Sequence, residues 1–115
     1  MVRRPLVLGS PVPLGTKIAD ITHADALEHS ITAVAMGLPP NAVAVYVVAV
    51  RAAGTGRFFF RAASGGPDVF ASNDITQGQL WVAASDGNFY YRLETANDDF
   101  DIYCMCYFVA QPEQS

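Results

Sequence analysis

The chain has 115 residues, with seven lysines and arginines against eleven acids and a formal charge of −4. That is the size of one domain, and it leaves no basic stripe to neutralise phosphates, so nucleic acid is excluded as an expected partner. Charged residues are 16% of the chain, against about 25% in an average soluble domain, and mean hydropathy is +0.22. The longest apolar run, Ala42–Val50, is nine residues, about half of what a membrane-crossing helix needs, so a bilayer does not account for the apolar surplus.

Residues 1–17 hold three prolines and two glycines, a composition that disfavours helix and predicts an extended N-terminal arm. The two arginines near the start are followed by an apolar stretch broken by Pro5, Gly9, Pro11 and Pro13, so no export signal is read there. Leu6, Val7, Leu8, Val12 and Leu14 need a surface to lie on, either the chain's own domain, taken as residues 18–115, or a neighbour. Residues 18–35 are ambiguous. A short helix capped at Thr22, with Asp25 at its third position, competes with extended structure, and from Ser30 the pattern turns towards a strand.

Gly37-Leu38-Pro39-Pro40-Asn41 is a stop. Beyond it, Ala42–Arg51 reads as a valine-rich strand, Gly54-Thr55-Gly56 as a turn, and Arg57–Arg61 as a second strand completing a hairpin. Gly65–Asp68 is a loop, Val69-Phe70 a short strand, and Gln79–Ala84 another. Ser85-Asp86-Gly87-Asn88 predicts a tight hairpin into Phe89–Glu94, and a last strand runs over Phe100–Ala110. Short strands at regular intervals, without sustained 3.6-residue periodicity, predict an all-β fold: an antiparallel β-sandwich or jelly-roll-like barrel.

A strand wet on one side alternates apolar with polar residues, and two of these do not. Val43, Val45 and Val47 oppose Ala44, Tyr46, Val48 and Val50. In the last strand Phe100, Ile102, Cys104, Cys106 and Phe108 oppose Tyr103, Met105, Tyr107 and Val109. Phe59, between Arg57 and Arg61, reads as one aromatic framed by charge, in the manner of an interface rim. Leaving several such side chains wet would sacrifice several kcal/mol, at roughly 25 cal/mol per Å². The expected subunit or partner contacts are therefore Leu6, Val7, Leu8, Val12, Tyr46, Val48, Phe59, Trp81, Tyr103 and Tyr107.

Chemistry is sparse. His23 and His29 are six apart, the wrong spacing for a helical metal pair. Cys104 and Cys106 suit neither an unstrained disulfide nor a zinc knuckle and read as reduced thiols in a core. Asn97-Asp98-Asp99-Phe100-Asp101 lacks the glycine and distal glutamate of a calcium loop. No catalytic residue, metal or cofactor is expected. Trp81, Tyr90 and Tyr91 could stack on sugar rings in a lectin-like site; against this, a Trp81 within Leu80-Trp81-Val82 usually serves as a large core or interface anchor.

Leu38–Val47, Gly56–Phe60 and Asp101–Val109 together resemble, in style, the small β-rich virion proteins of tailed bacteriophages, of the capsid decoration (cement) type. The resemblance covers about Ser30–Val109 and transfers no functional residue. It implies a non-enzymatic virion component made in the host cytoplasm. The resemblance implies a homo-oligomer, a trimer, seated on a major capsid protein, away from nucleic acid and membrane. A tail or fibre domain binding host glycans is the alternative.

Overall fold

In the computed structural model the described residues are 7–72 and 78–111. They form nine strands: β1 (Val7–Leu8), β2 (Val12–Thr22), β3 (Glu28–Thr32), β4 (Ala42–Ala53), β5 (Phe58–Arg61), β6 (Asp68–Ser72), β7 (Gln79–Val82), β8 (Asn88–Leu93) and β9 (Asp99–Gln111). One 3-10 turn, Val34–Met36, stops at Gly37, whose φ of 76° suits a residue without a Cβ. Among the described residues no helix is long and apolar enough to cross a membrane.

Pairing is nested. β2 pairs with β9, β3 with β8, β4 with β7 and β5 with β6, all antiparallel, as in one long hairpin. Rolling that hairpin up adds the β4–β9 and β5–β8 pairs. The result is two sheets, one ordered β2-β9-β4-β7 with β1 continuing its β2 edge, the other β3-β8-β5-β6. This is the eight-stranded jelly-roll form of the sandwich, and the all-β expectation holds.

The core lies between the sheets. Val45, Val47 and Ala49 of β4 and Phe100, Ile102 and Cys104 of β9 meet Phe58, Phe60, Phe89, Tyr91 and Leu93 from the facing sheet. Trp81 closes the β7 side with its edge to Phe60 and Phe89, at ring centroids of 5.2 and 5.4 Å. Its indole N–H donates to the Tyr90 carbonyl at 3.0 Å, so the buried polar tip is satisfied. Met36 and Leu38, carried by the 3-10 turn and its exit, also join the core.

Four expectations are corrected. β2 runs from Val12 to Thr22 without a break at residue 17, so the arm boundary falls inside a strand and no helix starts at Thr22. Pro11 precedes β2, and Pro13 falls in it where the strand edges its sheet beside a register irregularity, a place where proline is tolerated. The Ser30 strand ends at Thr32, and the 3-10 turn replaces its continuation. Finally, neither β4–β5 nor β7–β8 is a hairpin, because each turn carries the chain across to the other sheet. The 54–56 turn instead docks on the β8–β9 loop, where the Gly56 N–H donates to the buried Asp98 carboxylate at 2.6 Å.

Candidate interaction surface

The outward side of the β2-β9-β4-β7 sheet follows from register, because directly opposed residues of an antiparallel pair share a face. Val45, Val47 and Ala49 point inward, so Ala44, Tyr46, Val48 and Val50 point out. Val82 and Leu80 of β7 stand opposite Ala44 and Tyr46. On β9, Phe108, Cys106, Tyr103 and Asp101 stand opposite Ala44, Tyr46, Val48 and Val50.

A register shift at Met105 changes the faces expected of β9. Val47 pairs with Cys104 but Tyr46 pairs with Cys106, so Met105 is an extra residue and the alternation inverts beyond it. Cys104 is fully buried while Cys106 and Phe108 turn outward; Tyr107, expected at an interface, turns inward and packs against the core. Burial raises the Cys104 thiol to about pKa 11, which makes it inert. Both thiols are free.

The exposed face is accordingly apolar across three strands. Tyr46, Leu80, Val82, Tyr103 and Met105 are between 38% and 52% exposed. Tyr46 lies over Gly78, where an added Cβ would come within 2.6 Å of the phenol oxygen. At the β4–β7 end an apolar groove of about 410 Å³ opens between Val43, Ala44, Leu80, Val82, Ala83 and Ala84. Towards the other end the face becomes charged. Lys17 of β2 lies 3.9 Å from Asp20 and 3.7 Å from Asp101. The Asp20, Asp99 and Asp101 carboxylates lie within 4.8 Å of one another. Proximity to the Asp20 carboxyl, followed by burial and the Asp101 charge, holds Asp99 above the usual carboxylate range.

The outward side of the β3-β8-β5-β6 sheet is built differently. Phe59 is 7% exposed, under the guanidinium groups of Arg57 and Arg92 at 5.0 and 4.4 Å from its ring centroid. Those arginines belong to a lattice of ion pairs. Arg61 binds Glu28 and Asp68, Arg92 binds Asp68, each at 2.8 Å, and Arg57 binds Glu94 at 2.6 Å. Hydrogen bonds from Arg61, the Gly65 N–H and Ser64 hold Glu28 below its ordinary pKa. Asp68 is also lowered, because Arg92 and Arg61 outweigh the upward push of its burial.

The residues expected to make contacts are thus divided. Tyr46, Val48 and Tyr103 share the apolar face. Val12 is exposed on the β2 edge beside Tyr107. The backbone of Val7 and Leu8 pairs with Gln111 and Ala110 of the same chain, and Leu6 lies outside the described residues. Phe59 is not a wet aromatic at a rim, since the arginine from β8 covers it. Trp81 and Tyr91, at 1% and 4% exposure, are core residues with no ring face for a partner or a sugar. Tyr90 is half-buried and donates its hydroxyl proton to Asp86. Leu80 and Val82 were missed, although strict alternation about an inward Trp81 implies them; nothing local announces the bulge that exposes Met105.

No family model matches the chain, and searches of curated proteins and of solved structures return no match.

Proposed function

We propose that this chain is a non-enzymatic structural protein that works by burying the outward β2-β9-β4-β7 face against other subunits of an assembly. The supporting observation is the contrast between the two outward faces. One seals its aromatic under the chain's own arginines, while the other leaves Tyr46, Leu80, Val82, Tyr103 and Met105 in contact with water. An apolar patch of that kind on a chain poor in charge marks an interaction site. From strand spacing and rise, the face covers roughly 600 Å². That is the lower end of what one partner contributes to a stable interface, about 1,200 Å² in total.

The narrower reading is a capsid decoration protein acting as a homo-oligomer on a major capsid protein. It rests on the phage-virion resemblance of the sequence, and it is compatible with a jelly roll, a fold used in viral shells and in lectins alike. Such a protein adds contacts that exist only in the assembled particle and stabilises it by mass action. No observation favours the glycan-binding alternative, since two of its three expected stacking residues are buried. The test is co-sedimentation of the purified chain with assembled shells and with free capsid subunits. Binding to shells alone, lost in Leu80→Asp, is the expected result. Equal binding of the wild type and Leu80→Asp, or no binding of either, would overturn the reading.

A further inference from the structure

The corner where the chain crosses from β2 to β3 brings the two histidines of the sequence together. Their rings stack face to face, with centroids 3.5 Å apart and planes within 3°. His23 follows the end of β2, and its Nε2 lies 2.8 Å from the Tyr91 hydroxyl of β8. His29 sits on β3, opposite Tyr91 in register, and its Nε2 lies 2.8 Å from Asp25 Oδ1. The same carboxylate oxygen accepts the Leu27 N–H at 3.0 Å, so one acid both shapes the loop and holds one ring. The His23 carbonyl accepts the Asn97 N–H at 2.7 Å, which ties the β8–β9 loop to the corner.

We propose that the His23–His29 stack is a proton-operated latch, closed while the pair carries at most one positive charge and opened when acid adds a second. Asp25 gives His29 a charge-assisted partner for its proton. His23 has a phenol instead, and a cation on it would lie against a second cation across a 3.5 Å stack. Among the described residues, the titratable groups bonded to the pair are Asp25 from the loop and Tyr91 from β8. Tyr91, raised by burial to about pKa 12, stays a neutral phenol throughout and cannot balance the second charge. Behind Tyr91 stands the apolar ring of Phe58 from β5, at 5.4 Å. Burial, then the neighbouring His29, lowers His23 from its ordinary value of 6.5, and Asp25 only partly opposes this.

The latch does not depend on the proposed assembly role, because both histidines lie away from the apolar face. Its opening frees residues 23–27, releasing the β2–β3 crossing while the aromatic core stays packed.

The experiment is an NMR titration of the histidine ring resonances, together with amide hydrogen exchange, from pH 8 to pH 4. In the wild type, His23 should titrate below 6.5, and residues 23–27 and Asn97 should gain exchange as it does so. In His29→Gln the His23 midpoint should rise, and the acid-linked gain in exchange should disappear. A wild-type His23 midpoint at or above 6.5 would overturn the latch, as would corner amides indifferent to His23 protonation. Because the wild-type titration decides the matter alone, a variant that fails to fold does not shield the proposal.

Discussion

The two outward faces of the sandwich solve the same problem in opposite ways. On the β3-β8-β5-β6 side, Arg57, Arg61 and Arg92 lie among Glu28, Asp68 and Glu94 and cover Phe59. On the β2-β9-β4-β7 side the central positions are valine, leucine, tyrosine, methionine and cysteine, and among the described residues charge gathers at the Lys17 end. Three of the chain's seven basic residues lie on one face and cover its aromatic, whereas among the described residues none covers the centre of the other. The difference teaches that the apolar surplus is localised. It is not an average greasiness but one sheet face.

Mutations should separate the faces. The largest effect is expected from Tyr46→Asp or Leu80→Asp, which place a charge in the middle of the apolar face. Association should weaken at least about a hundredfold, as at an interface hot spot, while denaturant stability of the monomer moves by less than about 0.5 kcal/mol, as for a surface site. Equilibrium sedimentation and urea melts read the two quantities separately. A large stability loss without loss of association would reverse the assignment of the two faces.

Next in size, Phe59→Ala should cost about 2 kcal/mol of stability, the lost transfer free energy of one buried apolar side chain, and leave association unchanged. Asp68→Asn takes the shared carboxylate from Arg61 and Arg92. These pairs are partly solvated, so the loss should be only about 1 kcal/mol. The pH dependence has a definite sign. Glu28, Asp68 and Glu94 are lowered in the folded chain, so their stabilisation is complete above the ordinary carboxylate values of 4.5 and 3.8 and is lost as pH falls through the lower folded values. Asp68→Asn should flatten the acid side of the stability profile.

The smallest change, and one of opposite sign, belongs to the acidic end of the apolar face. Asp99 is raised by its acidic neighbours, so its ionised form is a liability at neutral pH. Asp99→Asn should raise the melting temperature at pH 7, and the advantage should vanish in acid, where the wild-type carboxyl is protonated too. Thermal melts at pH 7 and pH 3 check both halves of that statement.

From β4 onward the strands were legible in the sequence, because valine and aromatic runs between Gly, Pro, Asn and Asp turns are local signals, whereas β2, without such a run, was divided between an arm and an ambiguous stretch. The two-sided character of Ala42–Val50, which is the root of the functional reading, was legible too. Strand partners were not legible. The 54–56 and 85–88 turns have hairpin chemistry, yet each leads across the sandwich, and only long-range pairing with β9 and β8 decides that. The sequence around Phe59 shows Arg57 and Arg61 but not Arg92, which comes from another strand and completes the cover. The bulge at Met105 inverted the expected faces of Cys106, Tyr107 and Phe108 without any glycine or proline to announce it. The histidine stack was likewise invisible, since a spacing of six fits no single element and the loop alone folds it together.

The central claim is that the Tyr46–Leu80–Tyr103 face meets another protein surface, and equilibrium sedimentation of the purified chain from micromolar to several hundred micromolar tests it most directly. The account predicts reversible association across that range, abolished by Tyr46→Asp and untouched by Phe59→Ala. A single monomeric species at every concentration, identical for wild type and both variants, would contradict it.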